Sequence, residues 1–401
     1  MDAVAKQAER TRRVWLSPDS GDFDTFKAIV ERTTDPAEYP LAATVSRNVP
    51  IYDGSTVRNA AEEGADAARG LMAEWVEVFA NGPGVVVISG AFADTGPIDR
   101  ATAIFETIIA QEKARHLGGG DHFAKPGANA RIWNALEKHC LADPQNFAAY
   151  YGNVPLGLVC EAWLGPAYQM TAQVNVVYPG GEAQKAHRDY HLGFMTPEQI
   201  ARYPAHVHTV SPVLTLQGAV AHADMPVESG PTLFLPYSQT FFEGYLAFGR
   251  DEFQRYFEEN YVQLPLKKGD AVFFNPALMH GAGANFTKDI SRMANLLQIS
   301  SAFGRAMETV DRTEMVARLY PVLSAQRASG KMASREIDCV IAASAEGYPF
   351  PTNLDLDPPV GGLAPLSQAE RVRRALADGR GDDVIAELRV CEKKRRSAVI
   401  C

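Results

Sequence analysis

The chain has 401 residues, 46% of them hydrophobic and 22% charged, with a formal net charge of −9. That length can bury a real core and predicts one large domain with extensions, or two domains. The acidic balance argues against a nucleic-acid partner bound through a broad basic surface, and the short basic run "EKKRRS" at 392–397 reads as a solvated tail.

The N-terminus "MDAVAKQAERTRRVW" lacks the apolar stretch of a secretion signal, and residues 1–80 read as mostly helical. Within them, "GADAARGLMAEWVEVFANG" (64–82) spaces Leu71, Trp75 and Phe79 by four and ends on Asn-Gly, a helix stop. "GVVVISGAF" (84–92) places four β-branched residues between glycines and predicts a buried strand. "TGPIDRATAIFETIIAQEKAR" (95–115) follows as a helix with Pro97 in its first turn.

From about residue 169 the pattern changes to short strands with Gly and Pro turns. "MTAQVNVVYPGG" alternates polar Gln173 and Asn175 with apolar Val174 and Val176. Further strands are expected in "PVLTLQGAVAHAD" (212–224), after the turn of "ESGPTLFLPYSQ" (228–239), in "LPLKKGDAVFFNPALMHGAG" (264–283) and in "SRMANLLQISSAF" (291–303). Helical "TFFEGYLAFGRDEFQRYFEENY" (240–261) interrupts them. This order favours a barrel or sandwich over a parallel α/β sheet. Beyond 303 the chain reads as helical to about 347, then as Pro-rich coil (348–367), then as a short helix at 368–378. No apolar run approaches the roughly 18 residues of a membrane span. The C-terminal "AVIC" is neither a prenylation signal nor a peroxisomal tripeptide. Five scattered cysteines without a CxxC predict reduced thiols, and the expected location is cytoplasmic, with no membrane partner.

The residues that carry chemistry begin with "AQKAHRDYHLGFM" (183–195), where His187, Asp189 and His191 alternate after a strand. In extended chain such residues share a face. An imidazole and a carboxylate suit Fe(II), Mn(II) or Zn(II), and His280 in "FFNPALMHGAG" is the best third ligand. Two histidines and one carboxylate on one face of a metal leave positions open, the arrangement of non-haem Fe(II) oxygenases. Arg292, on the next strand, could fork onto the far carboxylate of a dicarboxylate cosubstrate. Asn175 and Gln173 could donate to the same cosubstrate. His191, Tyr190, Trp133 and Arg131 are candidates for the substrate side. Ser238 has no matching base, so a hydrolase triad is unsupported.

These pieces resemble the phytanoyl-CoA dioxygenase family of Fe(II)/2-oxoglutarate-dependent dioxygenases. The resemblance rests on "GVVVISGAF", "AHRDYH", "ESGPTLFLPYSQ", "LKKGDAVFFNPALMHGAGAN" and "SRMANLLQIS", and spans roughly residues 80 to 303. It implies a mainly β core, a double-stranded β-helix (jelly roll, cupin-like), with helical extensions at both ends. The expected segments are 1–80, 81–303 and 304–401. It implies Fe(II) held by His187, Asp189 and His280, and 2-oxoglutarate anchored by Arg292, with O2 as second cosubstrate. Related halogenases carry a small residue in place of the carboxylate, so Asp189 favours oxygenation. The expected reaction is hydroxylation of an unactivated C–H bond of a small molecule, with release of succinate and CO2. Two other readings stay open: a catalytically silent protein that binds metal and 2-oxoglutarate as a sensor, and a metal-dependent oxygenase of the same fold that does not use 2-oxoglutarate. Substrate identity and oligomeric state are not legible in the sequence.

Overall fold

The computed structural model describes residues 3–115, 128–350, 353–381 and 383–396. Its strands are β1 Thr44–Ser46, β2 Val49–Asp53, β3 Val85–Ser89, β4 Asn129–Ile132, β5 Gln169–Val177, β6 Thr215–Ala221, β7 Leu233–Leu235, β8 Val262–Gln263, β9 Ala271–Phe274, β10 Met279–Gly281 and β11 Arg292–Ser300. Eight of them form one mixed sheet in the order β1-β2-β3-β9-β6-β11-β5-β4, and the other three form an antiparallel sheet in the order β10-β7-β8.

Local sequence explains the centre of the large sheet. Val85 to Ile88 are buried and pair antiparallel with Ala271 to Phe274. Gly84 and Gly90 flank this strand with φ of 81° and 61°, a conformation that disrupts an extended ladder and suits only glycine readily. On the other side of β9, β6 pairs antiparallel through Gln217 opposite Phe274. Gly218 permits this close approach, since a Cβ there would stand 2.5 Å from the Phe273 ring. The helix Ala65–Ala80 buries the expected stripe of Leu71, Trp75 and Phe79. Its Trp75 ring meets Tyr52 of β2 edge-on, with centroids 5.7 Å apart.

The N-terminal 80 residues are mostly helical, as expected, but β1 and β2 also lie within them, and β2 runs parallel to β3. Pro50 hides β2, since proline ordinarily demotes a short apolar run from strand to turn. Strand β5 is buried on both faces beyond Gln169, so Gln173 and Asn175 are not on a solvated side. The helical stretch 240–261 divides into Gly244–Ala247 and Asp251–Asn260, with Arg250 extended between them. Three helices, Ala135–Ala142, Pro144–Tyr151 and Val154–Leu164, occupy part of the expected β segment. Helices therefore contribute more described residues than strands do.

Two compact units draw on the chain in turn. The first takes 1–93, 118–131 and 174–296, and the second takes 94–117, 132–173 and 297–401. Each gathers separated stretches of the chain. The second unit is mainly helical, and His139 is part of its core. His139 packs against Phe105, Phe147, Tyr150 and Tyr151, and its Nε2 lies 2.7 Å from Asn146 Oδ1. Among the described residues, no helix is long and apolar enough to cross a membrane.

Candidate metal centre

Residues 184–189 run antiparallel beside 276–282 in the first unit. Gln184 N–H donates to Ala282 O at 2.8 Å, and Asp189 N–H donates to Pro276 O at 2.9 Å. Between them, His187 and His280 exchange both backbone hydrogen bonds, at 2.9 and 3.0 Å. Extended chain turns His187 and Asp189 to the same side, and the bridge brings His280 opposite.

The result is a cluster of three. One ligand atom from each of His187, Asp189 and His280 lies within 4.8 Å of the others. His187 Nε2 is 3.8 Å from Asp189 Oδ1, and His280 Nε2 is 3.8 Å from Asp189 Oδ2. These separations exceed hydrogen-bond reach, so the groups converge without bonding to one another. The other ring nitrogens are committed: Nδ1 of His187 lies 3.0 Å from Lys185 O, and Nδ1 of His280 lies 2.8 Å from Leu278 O. A carbonyl only accepts, so each Nδ1 carries the proton and each Nε2 presents a lone pair. Burial, followed by the neighbouring His187, pushes the His280 pKa well below its usual value. A neutral imidazole is the form that binds a metal. Two such nitrogens and one carboxylate fit a divalent first-row ion.

The surroundings hold these groups in place. The Gln217 side-chain amide of β6 donates to Asp189 Oδ2. The Tyr245 hydroxyl donates to Asp189 O at 3.1 Å. Arg188, between the two ligands of its segment, is buried; its Nη1 donates to Phe241 O at 3.2 Å and its Nη2 to Ser238 O. Its guanidinium lies 5.3 Å from the Tyr245 ring centroid, and burial pushes its pKa down to about 10. Ser238 Oγ accepts the Met279 N–H at 2.8 Å. The Tyr237-Ser238-Gln239 turn thus braces the strands on either side of the cluster.

The remaining sequence candidates separate. Arg292 opens β11, is 6% exposed, and has its pKa pushed down to about 10 by burial. It has no ion pair or hydrogen-bonded side-chain partner among the described residues. Strand β11 lies between β6, which carries Gln217, and β5, which carries Asn175. Asn175 is buried, and its Oδ1 lacks a hydrogen-bond partner among the described residues. Gln173 falls in the second unit, where its amide meets Met307 Sδ at 3.5 Å. His191 is not among the clustered ligands; its N–H donates to Ser211 Oγ at 2.8 Å and its Nδ1 lies 2.9 Å from Thr215 Oγ1. Tyr190 is buried among Leu16, Ile200, Ala205 and Leu246, with its hydroxyl 3.0 Å from His208 Nδ1. Arg131 lies on β4, and Trp133 follows that strand within the second unit.

Sequence reasoning did not single out Gln217, Thr215, Arg188 or Tyr245. One signal for the first two was present: Thr215 and Gln217 are polar residues two apart in an otherwise apolar strand.

The family model described as phytanoyl-CoA dioxygenase matches residues 62–294. Among solved structures, the chain is similar to the non-heme alpha ketoglutarate dependent carbocyclase SnoK from nogalamycin biosynthesis. The identity is 20% and the TM-score 0.43, over 59% of this chain and 86% of that one. It is also similar to the non-heme alpha ketoglutarate dependent epimerase SnoN from nogalamycin biosynthesis, at 19% identity and a TM-score of 0.40, over 59% of this chain and 84% of that one. A third similar structure is AviO1 from Streptomyces viridochromogenes Tue57, at 16% identity and a TM-score of 0.40, over 58% of this chain and 96% of that one. No curated protein matches the chain in sequence.

Proposed function

The chain belongs to the phytanoyl-CoA dioxygenase family, and from that premise we propose that it is an Fe(II)- and 2-oxoglutarate-dependent oxygenase that hydroxylates an unactivated C–H bond of a small molecule. The observation that carries this reading is the convergence of His187, Asp189 and His280 with both Nδ1 atoms already committed to carbonyls. Segment 81–303, which holds all three, is the proposed catalytic segment, and a double-stranded β-helix is the proposed architecture of its strands.

Iron held there would supply, with 2-oxoglutarate and O2, the oxidising chemistry whose co-products are succinate and CO2. The chain's own residues do the rest. The Nε2 atoms of His187 and His280 and the Asp189 carboxylate would hold the metal. Arg292 is the proposed partner of the far carboxylate of 2-oxoglutarate. A buried cation with no carboxylate of its own is costly, and an incoming dianion supplies the missing partner. Asn175, buried on β5, is the proposed second contact, donating through its side-chain N–H, in preference to Gln173, whose amide meets Met307. His191 and Arg131 are proposed substrate contacts, whereas Tyr190 is assigned a supporting part because His208 engages its hydroxyl. Hydroxylation, desaturation and ring closure all use the same parts and differ in which substrate atom is placed nearest the metal.

The test is an anaerobic titration with Fe(II) and 2-oxoglutarate, following the visible iron-to-ketoacid absorption band. The band is expected in the wild type, lost in His187→Ala, and formed only at far higher cosubstrate in Arg292→Ala. Folded, iron-loaded wild type without the band would remove the 2-oxoglutarate assignment.

A further inference from the structure

Strand β6 and the segment after the ligand motif meet in a reversed ladder of side chains. Thr215 and Gln217 lie two apart on one face of β6, and Asp189 and His191 also lie two apart. Gln217 Nε2 donates to Asp189 Oδ2, and Thr215 Oγ1 lies 2.9 Å from His191 Nδ1. The later residue of each pair meets the earlier residue of the other, as in an antiparallel pairing. Two further bonds fix the same segment: His191 N–H to Ser211 Oγ at 2.8 Å, and the Tyr245 hydroxyl to Asp189 O at 3.1 Å.

Gln217 is well placed to act as a rigid support. It is 3% exposed, pairs with Phe274 of β9, and belongs to a strand flanked on both sides within the eight-stranded sheet. Gly218 beside it lies against the Phe273 ring, which keeps β6 and β9 close. The amide is therefore delivered from an interior strand of the sheet to one oxygen of a carboxylate on an irregular segment.

A carboxylate can bind a metal through one oxygen or two, and nothing in Asp189 itself decides between them. From this geometry we infer that Gln217 is a positioning residue for the metal-binding carboxylate. Its N–H occupies Oδ2 and leaves Oδ1 for the metal, while Thr215 steadies the next turn of chain through His191. One-oxygen binding by Asp189 keeps an additional metal position open for cosubstrate. This inference rests on the metal-centre reading proposed above. Partners that orient a metal ligand typically change metal affinity about 10–100-fold when removed.

The experiment is an anaerobic titration of the full chain with Co(II), a redox-stable probe whose visible absorption reports coordination number. Gln217→Met keeps the length of the side chain and removes the donor. It is expected to raise the Co(II) Kd about 10–100-fold and to change the absorption intensity. Thr215→Val is expected to move both readouts in the same direction by less. A folded Gln217→Met protein with the wild-type Kd and spectrum would overturn the inference. If Gln217→Met does not fold, Gln217→Glu replaces it: the length is kept, the N–H is lost, and a wild-type spectrum there would be equally fatal. Absence of Co(II) binding by the wild type would instead overturn the metal-centre reading, and this inference with it.

Discussion

His187 and His280 stand directly across an antiparallel bridge, their ring centroids 4.5 Å apart and tilted by 52°. Because backbone hydrogen bonds set this proximity, the two Nε2 atoms are brought together before any metal arrives. Such preorganisation reduces the ordering cost of binding. His187→Ala and His280→Ala are each expected to weaken divalent metal binding by at least about 100-fold. Isothermal titration with Mn(II) measures it; near-wild-type affinity in either variant would refute the ligand assignment. A ligand present at 100 times its Kd adds about 2.7 kcal/mol to stability. Mn(II) should therefore raise the wild-type Tm, a chelator should reverse the rise, and neither variant should respond.

Arg292 carries the opposite kind of signature, a cation buried without a counter-charge among the described residues. Arg292→Met is expected to leave the metal-free protein as stable as the wild type or more so, because replacing an uncompensated buried charge by an apolar chain of similar size relieves desolvation. The same change should raise the concentration of 2-oxoglutarate needed for half-maximal band formation about 10–100-fold, the equivalent of losing charge-assisted hydrogen bonds of about 1.5–3 kcal/mol. Mn(II) affinity should not move. A fall in Tm with unchanged cosubstrate affinity would make Arg292 a structural residue.

Arg188 and Gly244 form a second testable pair. A Cβ on Gly244 would stand 1.4 Å from Arg188 Nη1, so Gly244→Ala must displace the guanidinium. Losing its bonds to Phe241 O and Ser238 O leaves a buried charge unsatisfied. The expected cost is about 2–5 kcal/mol, read by urea unfolding. Arg188→Lys, which cannot span both carbonyls, should fall in the same range, and the double variant should cost less than the sum. Full additivity would mean that the two residues act independently.

Stability should also depend on pH through His139. Burial lowers its pKa from 6.5 to about 4 in the folded protein. Between those values the unfolded chain binds a proton that the native core does not, so stability is complete above about pH 6.5 and declines as pH falls toward 4. The loss grows to roughly 3.4 kcal/mol once the pH lies below both values. His280 adds to the decline in metal-free protein, since its pKa is also lowered. The Tm of metal-free wild type should drop between pH 7 and pH 4.5, and His139→Gln should flatten that slope. An unchanged slope in the variant would exclude His139 as a source.

The strands that carry the site were legible because their signals are local. Val85 to Ile88, the strand expected within 264–283 that holds β9, and the place of Arg292 on the strand after it all follow from residue type and short-range spacing. His187 and Asp189 could be read as facing one way because extended chain has a period of two. His280 needed only a donor set that lacked one member.

What the sequence by itself determined was therefore the chemistry: which groups are present, and which neighbours along the chain share a face. Only the tertiary structure decided which distant groups meet. Gln217 lies 28 residues from the carboxylate it holds, and Arg188 lies 50 from the Ser238 carbonyl it binds. Strand β2 is recruited by β3 despite Pro50, and His191, the third member of the alternating motif, turns to Thr215 instead of joining the ligands. Such pairings carry no periodic trace. Packing of the whole sheet selects them, through strand register and through the need to satisfy each buried polar group.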